Sequence, residues 1–169
     1  MNTSFIIHEL SKNKNVFKEM LQEISAEIYL WKPATGKWCL LEIVCHLYDE
    51  EREDFRARLK HILQTPADPF TPIDPPGWVM QRKYIQQDYN GMLNKFLEER
   101  EQSVAWLQSL SSPPWDQIHR HPTLGLISAN EMLADWLAHD YLHFRQIIKL
   151  KYDYLQKHSN EILTYAGNW

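Results

Sequence analysis

The chain is poor in glycine, with five among 169 residues, and has almost no stretch where Val, Ile or Thr alternates with polar residues. Both shortages make a β-sheet hard to build, since strands favour β-branched residues and their turns favour glycine. Cysteine is scarce as well, with only Cys39 and Cys45. If they share a helix they stand about 9 Å apart along its axis, too far for a disulfide. Neither belongs to a CxxC motif, so both read as packed free thiols suited to a reducing compartment. No apolar run approaches about eighteen residues, so no membrane span is expected. The stretch from Met1 to Leu10 carries His8 and Glu9 and lacks a basic start followed by an apolar run. It is therefore not read as a signal peptide, and a cytoplasmic location is expected. Lysine and arginine are scattered beside acids, and the net charge is −4. Nucleic acid, which needs a concentrated basic patch, is not an expected partner.

What is present is apolar and aromatic: 44% hydrophobic residues, with seven Trp, eight Tyr and six Phe. That composition excludes a disordered chain, and the length suits one domain over residues 1–169. Periodicity predicts four long helices, at about Phe5–Leu30, Cys39–Leu63, Met80–Leu110 and Ser128–Leu150, with a short one after Ser159. The third is expected to break near Asn90-Gly91. Glu50, Glu51, Glu53, Arg52, Arg56 and Arg58 read as a solvated charge ladder on the second helix. Ser128 and Glu131 form a capping box that opens the fourth. Gln64 to Trp78, with five prolines, reads as a stiff extended connector, and Ser111 to Ile127 as a long loop. A short loop makes helices 1 and 2 antiparallel. The proline-rich segment reaches about 45 Å, enough to let helices 2 and 3 run parallel. The expected fold is all-α: a four-helix bundle, up-down-down-up, with a long crossover between helices 2 and 3.

His139 and His143 stand at i and i+4 on one face of the fourth helix, a separation one metal ion can bridge. Alone this means little, because eight His in 169 residues give roughly 0.4 such pairs by chance. Met132, Trp136 and Phe144 share the face, so both imidazoles point to the apolar side. His46 sits beside Ile43 and Leu47 on helix 2. It lies about 10 Å from that helix's start, and the pair lies about 14 Å from the end of helix 4. Antiparallel packing brings the three to nearly one level, whereas parallel packing offsets them by about 8 Å. His8, His61 and His158 read as surface residues, and His119 and His121 as loop residues.

The run Lys37-Trp38-Cys39-Leu40-Leu41-Glu42-Ile43-Val44-Cys45-His46-Leu47-Tyr48-Asp49-Glu50-Glu51 resembles the opening motif of the DinB-like superfamily. Arg120-His121-Pro122, Gly125, Ser128, Glu131 and then His139-Asp140, His143 and Gln146-Ile147 resemble its closing motif. The resemblance implies the same bundle and three metal ligands, His46, His139 and His143. It implies one divalent ion, nickel or zinc first and manganese or iron as alternatives, with water in the remaining positions. Cys39 departs from the Ser or Thr that usually caps helix 2, which puts that cap in doubt.

Three neutral imidazoles leave coordination positions open, as a reactive site requires. Superfamily members are similar to thiol S-transferases that use bacillithiol, mycothiol or glutathione, and to metal-dependent hydrolases. The functional expectation is a divalent-metal-dependent enzyme that activates a low-molecular-weight thiol or water against a small electrophile. Glu50, one turn after His46, and Asp135, one turn before His139, are candidates to orient a ligand or accept a proton. Trp38 and Trp78 are candidates to wall the pocket, and exposed helix aromatics would suit a homodimer. A zincin-like protease is set aside because Asp140 stands where such enzymes need Glu. The alternative is a non-catalytic bundle that binds metal or a partner protein.

Overall fold

The computed structural model describes residues 2–165 and 167. Helix α1 (Thr3–Leu21) opens on Asn2, whose side chain accepts from the Phe5 N–H at 3.3 Å. It ends well before Leu30, because Glu23 takes a left-handed backbone at φ 58°. The Tyr89 hydroxyl donates to the Leu21 carbonyl at 2.7 Å, satisfying one of the acceptors freed at that end. A single turn, α2 (Ala26–Tyr29), follows.

The second long helix is continuous but not uniform: α3 (Leu40–Asp49), a π-helical segment (Glu50–Phe55) and α4 (Arg56–Gln64). Cys39 is its N-cap residue, and the Glu42 carboxylate accepts from the Cys39 N–H at 2.9 Å. The carboxylate half of a capping box is therefore in place despite the departure from Ser or Thr. Both cysteines are free and buried. Burial pushes the Cys39 thiol up to about 11 and Cys45 up to about 12, so neither is a nucleophile at neutral pH.

The proline-rich connector is not extended throughout. It turns helical at α5 (Pro75–Gln81), where Pro75 and Pro76 fill positions whose N–H groups a helix leaves unused. Asp74 caps it by accepting from the Gly77 N–H at 3.1 Å. A Cβ on Gly77 would lie 1.9 Å from an Asp74 carboxylate oxygen, so only glycine fits under that cap. A 3-10 turn (Tyr84–Gln86) and α6 (Tyr89–Ser109) follow, so the break in the third helix precedes Asn90-Gly91. Arg82 pairs with Asp49 at 2.8 Å and with both Glu53 oxygens, and Tyr84 donates to Asp49 at 2.6 Å, tying the crossover to helix 2.

The expected loop before the last helix contains a small antiparallel hairpin, β1 (Ile118–His121) and β2 (Gly125–Ser128), in register Ile118↔Ser128. Gly125, at φ 82°, makes the reversal possible. Ser128 then caps α7 (Ala129–Ser159), its hydroxyl accepting from the Glu131 N–H at 3.1 Å. This helix runs past Leu150 to a left-handed Asn160. No further helix follows among the described residues; Leu163–Tyr165 form a turn. No helix among the described residues is long and apolar enough to cross a membrane.

Two apolar clusters fix the helix directions. One joins Phe17 and Leu21 late in α1 to Leu40 and Ile43 early in α3, Tyr89 and Leu93 early in α6, and Ile147 and Leu150 of α7. The other joins Ile6 and Leu10 to Leu59 and Ile62, Val104 and Leu107, and Met132 and Leu133 early in α7. Thus α1 and α7 point one way, and the second and third long helices both point the other. The bundle is up-down-down-up, and the crossover spans its length.

Candidate metal centre

The three predicted histidines converge. One ring nitrogen from each of His46, His139 and His143 lies within 4.8 Å of the others. Nε2 of His139 and Nε2 of His143 are 3.0 Å apart. Two imidazole nitrogens sharing one ion at about 2.1 Å would stand about 3.4 Å apart, so the helical pair is close to the spacing a shared ion requires. His46 faces them from the antiparallel helix, its ring centroid 5.6 Å from His139 and 5.0 Å from His143. His46 and His143 are each 7% exposed, and Nδ1 of both is buried without a hydrogen-bond partner.

Burial disfavours the imidazolium form, and the rings also repel one another's charge. His46 is lowered to about 3, His143 to about 4, and His139 well below its ordinary value. All three are therefore neutral at physiological pH, the form that binds metal. Glu50 lies beside them, one oxygen 3.8 Å from His46 Nδ1. Burial, then the neighbouring Asp54, push its carboxyl up to about 8.

These shifts set a pH signature for the metal-free protein. The unfolded imidazoles take up protons below about pH 6.5 while the folded ones do not, so their contribution to stability is lost as pH falls. Glu50 has the opposite sign: its folded form keeps a proton between about pH 4.5 and 8, so its contribution is lost as pH rises. Stability should peak near pH 6.5 and fall below it by up to about 3 kcal/mol per pH unit, three imidazoles acting against one carboxyl. Denaturant melts of metal-stripped protein on both sides of pH 6.5 measure this. Stability that keeps rising toward pH 5 would mean the rings are not held neutral.

The histidines are aimed by a polar layer between the two apolar clusters. Arg100, 1% exposed, donates to both Asp140 oxygens at 2.7 Å and to Glu51 at 2.9 Å. Asn13 donates to Asp140 at 2.9 Å, and the Trp136 indole N–H donates to Glu51 at 3.0 Å. Each long helix thus contributes to one buried network, and Asp140 adjoins His139 in sequence. Glu50 and Glu51, read as part of a solvated ladder, are 5% and 2% exposed. The sequence does carry a signal for this, since Glu51 continues the i, i+4 row Leu47–Phe55–Leu59. Arg100 likewise sits in the row Phe96–Val104, and Asn13 between Leu10 and Phe17. The π-helical segment begins where this buried charge enters, and such insertions are frequent at functional sites.

The other expected residues fall differently. Asp135 is exposed, and after partial burial the nearby Glu131 is what raises its carboxyl. Trp38 reaches the site, its ring 4.8 Å from His46, while Trp78 is buried beneath the Arg82 guanidinium. Phe55 covers His139 at 4.8 Å. His119 is buried, stacked 3.9 Å from Phe70 with Nδ1 3.0 Å from the Pro66 carbonyl, and pegs the hairpin to the crossover. His121 closes the hairpin turn by accepting from the Thr123 and Leu124 N–H groups. His61 holds the Asp68 carbonyl at 2.8 Å, and exposed His158 stacks on Tyr154.

The sequence profile of the DinB superfamily matches residues 9–147, which includes all three histidines. The chain belongs to the DinB superfamily. This DinB chain is also similar in structure to YfiT from Bacillus subtilis, with a TM-score of 0.78 and 21% identity over 88% of this chain and 85% of that one. YfiT is described as a probable metal-dependent hydrolase with an unusual four-helix bundle topology. At that identity the likeness shows the fold. No significant match exists among curated proteins.

Proposed function

We propose that this DinB-superfamily protein is a divalent-metal-dependent enzyme whose ion is held by His46, His139 and His143. The observation that carries the reading is the meeting of three neutral, largely buried ring nitrogens within 4.8 Å. The donor set fits the group. Ring nitrogens suit nickel or zinc, and Nδ1 of His46 is buried with no hydrogen-bond partner, so that ring remains available to an ion. Three protein ligands leave room for a substrate, whereas structural zinc sites fill all four positions. The description of YfiT as a probable hydrolase is in line with this.

A bound ion would supply Lewis acidity, lowering the pKa of a thiol or of water for attack on a small electrophile. The protein's own groups divide the remaining work. Glu50, beside His46 Nδ1 and protonated at neutral pH, is placed to orient that ring or to give up a proton. Trp38 and Phe55 exclude water from two of the imidazoles. The Arg100 network holds helix α7 in the rotation that keeps both of its histidines inward.

Elemental analysis of protein purified without added metal tests the reading, followed by conjugation of monochlorobimane with bacillithiol, mycothiol or glutathione and by ester hydrolysis. About one equivalent of bound or bindable divalent ion is expected, with turnover lost on chelation and restored by the metal. Protein that binds no divalent ion refutes the reading, and metal-loaded protein without turnover makes it a binding module.

A further inference from the structure

A cleft of about 610 Å³ lies on the far side of Trp38 and Gln146 from the three histidines. Two of its lining residues connect it to them. Trp38 packs against His46, and the Gln146 amide acts on His143. The floor is apolar, with Trp38 and Leu150, and the rim carries Lys37, Arg145 and Lys149. Lys149 is neutralised by Asp153, the acidic residue of the lining. Lys37 and Arg145 are exposed, and no carboxylate among the described residues reaches either within salt-bridge distance.

Lys12, Lys14, Lys32, Arg52, Arg56, Arg58, Arg82 and Arg100 meet acids elsewhere in the chain. Among the described residues Lys37 and Arg145 do not, and they stand together at the mouth of one cleft. Two uncompensated cations at the mouth of an apolar cleft raise the local concentration of anions and offer a carboxylate charge-assisted hydrogen bonds. The guanidinium of Arg145 supplies a planar fork that matches a carboxylate, and Lys37 a mobile point charge.

We propose that this cleft binds a small organic anion, its carboxylate held by Lys37 and Arg145 and its apolar body lying against Trp38 and Leu150. The inference names the substrate class for the site described above and rests on the reading of the three histidines as a reaction centre. Trp38 touches both the cleft and His46, so it is the side chain through which the bound molecule would neighbour the histidines.

Calorimetric titration of the full-length, zinc-loaded protein with 3-phenylpropanoate, against its neutral amide, tests the proposal. The acid is expected to bind at least about tenfold more tightly than the amide, with an affinity that falls as salt is raised. The double variant Lys37→Gln/Arg145→Gln should weaken acid binding at least about tenfold, while zinc content and amide binding stay unchanged. Both residues are exposed, so their replacement leaves the fold intact. Because neither cation depends on the ion, His139→Ala should retain acid binding. Equal affinity for acid and amide overturns the proposal. So does an unaltered affinity in the double variant, which would put the carboxylate on the ion. Failure to bind zinc is read separately in the same samples, so loss of the enzymatic reading is not confused with loss of the anion site.

Discussion

Replacing His139 with alanine should weaken divalent-ion binding at least about 100-fold and remove most of the metal's effect on stability. The argument is geometric. His139 and His143 hold nitrogens 3.0 Å apart on one helix, and His46 completes the set from the opposing helix. Changing groups that merely orient a ligand typically costs about 10- to 100-fold in affinity, so removing a ligand costs more. An ion that binds only the folded state stabilises it by about 4 kcal/mol when present at a thousand times its dissociation constant. For a chain of this size that raises Tm by about 8–16 °C. Wild-type protein should show this rise on adding zinc or nickel, and His139→Ala should show about a third of it or less. Without metal the variant should be nearly as stable as wild type, because it loses a neutral, partly buried ring and no ion pair. A metal-dependent rise preserved in His139→Ala would place the ion elsewhere.

The largest loss of stability should come from Arg100→Met, about 3–5 kcal/mol, or a Tm lower by about 10 °C. Methionine matches the apolar stem of arginine, so packing against Phe17 and Phe96 changes little. What remains is two carboxylates, Glu51 and Asp140, 2% and 0% exposed, with no cation between them. Removing one partner of a buried ion pair is costlier than never having had the pair, because the stranded charge cannot recover its hydration. Replacing all three, as Glu51→Leu/Arg100→Met/Asp140→Leu, should therefore restore most of the stability lost by the single change. Denaturant unfolding of the two proteins decides it. A single-variant loss under about 1 kcal/mol would mean that water already solvates the network. A second readout separates stability from site geometry: the triple variant should fold yet bind metal less tightly, since Asp140 no longer fixes the rotation of α7 beside His139.

The four long helices, their directions and the three histidines were legible because they rest on periodic patterns. Apolar residues at spacings of three and four mark the inward face of each helix, and His46, His139 and His143 lie on those faces. The antiparallel level-matching followed from connector lengths alone. The helix boundaries were less accessible. The end of α1 at Leu21 depends on a left-handed Glu23 and on the Tyr89 hydroxyl, which arrives from 68 residues away. Five prolines predict a uniformly extended segment, whereas Pro75 and Pro76 open a helix because Asp74 and Gly77 make its cap.

By itself, then, the sequence determined which faces are buried, which way each long helix runs and which imidazoles can meet. Only the tertiary structure decided the status of the charges. The row Leu47–Phe55–Leu59 puts Glu51 on the inward face, but nothing local says that a charge there stays buried against Arg100 instead of turning out to solvent. A charge enters the interior only where a partner from another helix offsets its desolvation, and that partner is 49 residues distant for Glu51 and 40 for Asp140. The same holds for the rim of the cleft. Lys37 and Arg145 are ordinary surface cations in sequence, and the bundle sets them together at one cleft, where the lining acid Asp153 pairs with Lys149 instead.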